Sequence, residues 1–213
     1  MKKENSSVIR EGFYIALIIF LLSLVSLVLG FILVSTVLCL LALFVLFFFR
    51  NPEREIPVEE DTVVSPADGR VVDVRKIKED QYFHKEMICI SIFLSIFNVH
   101  VNRSPYSGKV ESVKYTKGKF LPAFREKASL LNEQNAIVIS YKDVGILVKQ
   151  IAGIIARRVV CWVKEGDQLE RGQHLGLIRF GSRVDIFLPV DVQIEVSVGD
   201  KIKGGETIIA RLI

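Results

Sequence analysis

From Phe13 to Phe49 the chain carries no charged residue, and only Ser23, Ser26, Gly30, Ser35 and Thr36 interrupt an apolar run. The pattern changes after Arg50-Asn-Pro-Glu-Arg-Glu-Ile-Pro57, a charged and proline-marked linker. Beyond it, short runs dense in β-branched residues alternate with turn residues: Val63–Val64, Gly69–Val74, Met87–Leu94, Gly108–Tyr115, Ala136–Tyr141 and Gly145–Ile151. Such spacing predicts an all-β sandwich or barrel. The exception is Leu121–Asn132, where Ala123, Phe124, Ala128 and Leu131 fall at helical spacing and predict one short helix. A last strand-like run extends from Leu175 to Leu188, with Gly181-Ser182 inside it.

The N-terminal run is too long for one membrane span of about 20 residues and suits two short ones turning near Gly30 or Ser35-Thr36. A secretory signal, with an apolar core of about 7–15 residues, does not fit. Lys2, Lys3 and Arg10 precede the run and Arg50 and Arg54 follow it. A helical hairpin places both basic flanks on one side, which the positive-inside rule makes cytoplasmic. The alternative is one long tilted helix. The expected organisation is therefore a transmembrane hairpin over 1–49 and a second domain over 50–213, at the cytoplasmic face of the cell membrane.

The second domain contains a repeat. Val163-Lys-Glu-Gly-Asp-Gln-Leu-Glu-Arg-Gly-Gln-His-Leu175 aligns with Val196-Ser-Val-Gly-Asp-Lys-Ile-Lys-Gly-Gly-Glu-Thr-Ile208, so that Gly166/Gly199, Asp167/Asp200, Leu169/Ile202, Gly172/Gly205 and Leu175/Ile208 coincide. Gly-Asp makes a tight turn, the aliphatic residue faces the core, and the second glycine turns the chain again. The pattern resembles the lipoyl/biotinyl-like barrel-sandwich, and it brackets Gly181-Ser182 with two quasi-equivalent hairpins.

A formal charge of +4 beside an apolar segment suits an anionic lipid surface. No basic stripe interleaved with aromatics argues for nucleic acid. Cys39, Cys89 and Cys161 form neither a metal spacing nor a disulfide framework. His84, His100 and His174 are too dispersed to supply the close pair of a zinc peptidase, so no metal is expected.

Glycine within a strand marks a bulge, a bend or a close approach. Gly181-Ser182 is therefore either a bulge with an exposed serine or a reactive pair. In the second case Ser182 Oγ attacks the Gly181 carbonyl, the amide becomes an ester, and elimination leaves dehydroalanine that hydrolyses to a pyruvoyl group. His100 lies in the apolar run Phe97–Val101, with Asn98 and Asn102 on its alternation face. A near-neutral pKa suits it to take and return a proton. Asp68 precedes Gly69 and is either a turn aspartate or a carboxylate orienting a catalytic group. Arg103 offers a planar fork for carboxylate or phosphate, and Arg157-Arg158 could do the same; Arg103, Asn102 and Arg157 form the candidate substrate-binding set. His84 and His174 read as surface residues. Lys127, Asn132 and Glu133 read as helix packing and capping.

Ser65-Pro-Ala-Asp-Gly-Arg-Val, Phe97-Asn-Val-His-Val-Asn-Arg-Ser-Pro105, Lys127-Ala-Ser-Leu-Leu-Asn-Glu-Gln-Asn135 and Phe180-Gly-Ser182 occur in that order. As an ordered set they resemble the short, prokaryotic class of phosphatidylserine decarboxylase proenzymes, over about residues 45–213. The resemblance implies self-cleavage between Gly181 and Ser182 into a large chain, 1–181, and a small chain, 182–213, which stay together as a heterodimer. It implies a pyruvoyl group at residue 182 as electron sink, His100 and Asp68 as functional residues, and a membrane phospholipid as substrate. A homo-oligomer is a further possibility left open. Two positions depart from the pattern: Arg183 stands where many members have threonine, and Arg103 where longer members have a second histidine. The rival reading is a membrane-anchored lipoyl-like carrier. It would need a modifiable lysine, and Asp200-Lys201 is matched in the repeat by Asp167-Gln168.

Overall fold

β-Branched and aliphatic residues condense into strands through most of the chain after Thr62, while the uncharged N-terminal run becomes helical. The structure is a computed structural model that describes residues 7–119, 131–142, 144–153, 159–179 and 181–213. In chain order the elements are helices α1 (Arg10–Val28) and α2 (Ile32–Phe48), then strands β1 (Thr62–Val64), β2 (Gly69–Glu79), β3 (Lys85–Leu94), β4 (Val101–Arg103), β5 (Gly108–Thr116), β6 (Gln134–Tyr141) and β7 (Val144–Ile151). They continue with β8 (Val159–Cys161), β9 (Gln168–Leu169), β10 (His174–Ile178), β11 (Ser182–Leu188), β12 (Val192–Ile194), β13 (Lys201–Ile202) and β14 (Ile208–Leu212). The protein is mainly β, with apolar helices at its N-terminus. All but Leu131 and Asn132 of the expected helix over Leu121–Asn132 lies outside the described residues.

The chain divides into two units, Met1–Glu53 and Arg54–Ile213. In the first, the chain reverses at Gly30, whose φ of +82° is open to glycine at little cost. The Ile9 amide donates to the Phe49 carbonyl at 2.9 Å and Asn51 donates to Ser7 at 2.7 Å, so the two ends of the unit meet. Ser23 Oγ donates to the Ser35 carbonyl at 2.8 Å between the helices. Gly12, Ala16, Ser23, Ser35 and Ala42 are buried where α1 and α2 approach, and small residues allow that approach. Most of the large apolar side chains point outward. By length and composition α1 can cross a membrane; α2, at 17 residues, is shorter.

The second unit is built from two quasi-equivalent halves. An eight-stranded antiparallel sheet runs in the order β13-β2-β3-β11-β7-β6-β5-β9, and two three-stranded sheets run β1-β14-β12 and β4-β10-β8. The first four strands of the large sheet correspond to the last four read backwards, and the two small sheets correspond strand for strand. The turns repeat in detail. Asp167 Oδ2 accepts the Lys164 amide at 3.0 Å and Asp200 Oδ2 accepts the Ser197 amide at 2.8 Å. Gly166 donates to Val110 and Gly199 to Val71, each at 2.8 Å. Ser65 Oγ donates to the Ala67 carbonyl at 2.6 Å, and Ser104 Oγ to that of Tyr106 at 2.7 Å. The thirteen-residue repeat is thus part of a larger one that also relates Ser65-Pro-Ala-Asp-Gly69 to Ser104-Pro-Tyr-Ser-Gly108. At Gly69 and Gly108 an added Cβ would strike the carbonyl of Phe93 or Ser140 on the adjoining strand, so a glycine is required at both.

Two expectations need correction. The run Leu175–Leu188 is two strands, because the chain leaves the small sheet after Ile178 and enters the large one at Ser182. Phe97–Val101 is not a strand: Asn98 Oδ1 accepts from the Ser95 amide at 2.9 Å and the Ser95 hydroxyl at 2.6 Å, closing a turn before β4 begins. The distal part of the linker packs into the second unit. Arg54 packs its guanidinium, 6% exposed, against Asp68 and Glu206, and Ile56 fills the space beside Gly172 and Gly205.

Candidate active site

Gly181 adopts φ +48°, a left-handed conformation, and a Cβ there would meet no atom within 4 Å. Glycine is therefore favoured by backbone conformation alone. The next residue opens β11 between β3 and β7, the two central partners of that strand. In the corresponding half, β6 and β7 form a hairpin closed by Tyr141↔Val144; here the equivalent pair, Leu94↔Ser182, is joined only through the whole of the other half. Ser182 is fully buried, and its Oγ has no hydrogen-bond partner among the described residues. An unpaired buried hydroxyl costs about 1–3 kcal/mol, which marks Ser182 as a candidate for a chemical role.

Antiparallel register fixes what shares its face. Ser182, Val184, Ile186 and Leu188 alternate toward the aliphatic core, and Val184 lies opposite Gln150 of β7. Gln150 in turn lies opposite Asn135 of β6. Gln150 is thus the diagonal neighbour of Ser182, about 7 Å away and within reach of a long side chain. Gln150 Nε2 donates to Asn102 Oδ1 at 2.8 Å, with both residues fully buried. Asn102 Nδ2 and Gln150 Oε1 have no partner among the described residues. A polar patch of Ser182, Gln150, Asn135 and Asn102 therefore interrupts an otherwise apolar face.

His100 is fully buried just before β4, and its carbonyl accepts the Ile178 amide at 3.3 Å. Three residue steps, at most about 11 Å, separate Ile178 from Gly181. Asp68 approaches from the other side. Arg70, Phe93 and Arg183 form one row across β2, β3 and β11, which sets Asp68 near the same end of the sheet, about two strand spacings or 10 Å from Ser182. Its carboxylate is already engaged: Oδ1 accepts from the Gly204 amide at 2.8 Å and from Arg54 at 3.0 Å, and Oδ2 accepts from Arg54 at 2.9 Å. The bond from Gly204 repeats that from the Arg171 amide to Ser107 Oγ, so Asp68 closes a turn between segments remote in sequence.

Arg103 follows Asn102 and falls on the opposite face of β4. Its Nη1 donates to the Gly172 carbonyl at 3.1 Å. Burial, and then Arg54, hold its pKa down to about 10 against the opposing pull of Asp68 and Glu206. It stays charged at neutral pH. The structure thus brings Arg103 together with Asp68 and brings Asn102 together with the face of Ser182. His174 is not a surface residue. It begins β10, half-buried with its ring edge-on to Trp162 at 6.1 Å, and burial followed by Arg103 depresses its pKa to about 4. His84 is exposed in a turn, at φ 52°. Arg157, Arg158, Lys127 and Phe180 lie outside the described residues.

The chain matches the family model described as phosphatidylserine decarboxylase over residues 41–210. The chain belongs to the phosphatidylserine decarboxylase family. It is 48% identical over 211 residues, 99% of each chain, to the phosphatidylserine decarboxylase proenzyme of Carboxydothermus hydrogenoformans. It is 46% identical over 213 residues, all of both chains, to that of Geotalea uraniireducens. The proenzyme of Syntrophus aciditrophicus is 51% identical over 171 residues, 78% of each chain.

Within this decarboxylase-family chain, sequence reasoning passed over Gln150 and assigned Asn132 and Glu133 to a helix. Asn132 Nδ2 donates to the Ala152 carbonyl at 2.7 Å, and Glu133 Oε1 accepts the Val159 amide at 3.2 Å. These side chains fasten both ends of the segment that carries Arg157. The signal was available as Lys149-Gln150, a polar pair between Val148 and Ile151 in a buried strand.

Proposed function

We infer that the protein is a pyruvoyl-dependent phosphatidylserine decarboxylase, made as a proenzyme that cuts itself between Gly181 and Ser182. The observation that carries this reading is the fully buried hydroxyl of Ser182, which has no hydrogen-bond partner among the described residues and follows a left-handed glycine, in a chain whose relatives are named proenzymes.

Ser182 Oγ attacks the Gly181 carbonyl carbon as His100 accepts the hydroxyl proton, and the peptide nitrogen leaves with a proton, giving an ester. Asn102 Nδ2 is the buried donor available for the charge that develops on the Gly181 oxygen. Loss of the Cα proton of residue 182 then expels the Gly181 carboxylate. Water replaces the nitrogen of the resulting dehydroalanine, which leaves as ammonia. The residues present fit the group so formed, since it arises from Ser182's own atoms on a strand held from both sides. Once formed, it supplies an electrophilic carbonyl that acts as electron sink while carbon dioxide leaves.

This chain's own residues do the rest. His100 returns a proton to the substrate carbon, and the buried amides of Asn102 and Gln150 orient polar groups beside residue 182. Asp68 keeps the Arg54–Arg103–Glu206 cluster in place at that end of the sheet. Arg103 and Arg157 are the proposed contacts for the serine carboxylate or the lipid phosphate. The two quasi-equivalent halves support a lipoyl/biotinyl-like barrel-sandwich. The carrier alternative is not favoured, because the equivalent position in the other half of the repeat is Gln168, so no modifiable lysine recurs at the two matching turns. The joined ends of the first unit and its outward apolar side chains support a transmembrane hairpin over 1–49, with the catalytic unit at the cytoplasmic face and the large and small chains remaining as a heterodimer. The test is release of carbon dioxide from vesicles containing phosphatidylserine: wild type should release it and Ser182→Ala should not. Release by Ser182→Ala would overturn the reading.

A further inference from the structure

The face of β11 opposite Ser182 carries a buried ion pair. Arg183 Nε donates to Asp185 Oδ1 at 2.5 Å and Nη2 donates to Oδ2 at 3.1 Å, with the two side chains 4% and 1% exposed. The same Nη2 donates at 2.8 Å to Ser91 Oγ on β3, and Ser91 is the register partner of Asp185. The triangle therefore ties the start of β11 to its neighbour by side chains as well as by the ladder. Burying a pair of charges gives little net stability, since desolvation offsets most of the attraction. Its use lies elsewhere.

We propose that Arg183, through Asp185 and Ser91, is a positioning residue that holds residue 182 in register both while the preceding bond is cut and after it is gone. The proposal rests on the self-cleavage reading above. Cleavage turns residue 182 into the first residue of a chain, with no covalent tether on its N-terminal side, and strand ends fray. Residue 183 is the first that can anchor it. Its guanidinium lies on the face away from Ser182, so it acts through the backbone and touches no reacting atom. A displacement of about 1 Å at a reacting centre can cost on the order of a hundredfold in rate.

The experiment must separate position from folding. Arg183→Met alone strands the Asp185 carboxylate, so the informative variant is Arg183→Met with Asp185→Leu, which removes both charges at similar volume. The active carbonyls of the full-length, membrane-reconstituted protein are counted with a hydrazine reagent, and kcat is expressed per carbonyl. The account predicts cleavage slowed about tenfold to a hundredfold, with kcat per carbonyl reduced by a similar factor and KM unchanged. Wild-type kcat per carbonyl in the double variant would overturn it, because a purely structural pair changes only the number of active molecules. If the double variant does not fold, Ser91→Ala and Ser91→Thr decide. The first should lower kcat per carbonyl and the second restore it, and equal values in both overturn the proposal. Absence of any hydrazine-reactive carbonyl in wild type is the separate failure of the self-cleavage reading itself.

Discussion

Gln150 donates to Asn102 at 2.8 Å and thereby ties β7 to β4 beneath the face on which Ser182 opens β11. Among the described residues, Asn102 Nδ2 and Gln150 Oε1 have no further partner, which is unusual in a buried aliphatic face, and the surplus donor belongs to Asn102. If that donor serves the Gly181 oxygen during attack, Asn102→Leu should slow self-cleavage about 10²–10³-fold. The same change strands Gln150 and should cost about 1–3 kcal/mol of stability. Pairing it with Gln150→Leu should recover stability but not the rate. Recovery of both, by denaturant titration and by cleavage time course, would assign the pair to packing alone.

His100 and Arg103 should separate cleanly. His100→Ala should impair cleavage and, in any cleaved fraction, decarboxylation, each by about 10²–10⁴-fold. Arg103 remains protonated near neutral pH and cannot exchange a proton. Arg103→Lys keeps the charge but loses the fork, so it should raise KM more than it lowers kcat if the contact is to carboxylate or phosphate. Intact cleavage and kcat in His100→Ala would pass the proton-carrying role to another residue.

The placement of these residues shows what the sequence could and could not disclose. The six strand runs and the repeat around Gly166 and Gly199 were legible, because alternation, β-branching and Gly-Asp turns are local signals, while the reversal in the apolar run was legible only as a choice between Gly30 and Ser35-Thr36. The break at Gly181 was not. Its flanking residues suit a strand on either side, and only the competition between two sheets for Ile178 and Ser182 separates them. The engagement of Asp68 with Arg54 and Gly204 was equally hidden, since it joins segments far apart in the chain. His174 was misread because a charged neighbourhood in sequence became a half-buried one beside Trp162.

His174 gives a pH dependence with a definite sign. The folded protein keeps the imidazole neutral down to about pH 4, whereas the unfolded chain protonates it from its ordinary value of 6.5. The unfolded state therefore binds more protons between these values, and stability is lost as pH falls from about 6.5 toward 4. Denaturant titrations across that interval should show a steeper loss for wild type than for His174→Phe. Parallel curves would contradict the assignment.

Residues 1–49 should be dispensable for folding of the second unit, since its sheets and the Arg54–Asp68 pair lie wholly beyond them. The truncated protein should unfold cooperatively. Arg54→Ala in it should lose about 2–3 kcal/mol, because Asp68 keeps only the Gly204 amide. If the catalytic unit is cytoplasmic, protease added outside spheroplasts of cells making the full chain should not digest it. Digestion there would reverse the topology.

The central claim is that the bond before Ser182 is cut by the protein itself, and intact mass measures this most directly. Wild type purified from its own membrane should yield two chains, 1–181 and 182–213, the smaller bearing a ketone in place of an N-terminal amine, and Ser182→Ala should yield one chain of 213 residues. A single uncut wild-type chain that still decarboxylates phosphatidylserine would contradict the account.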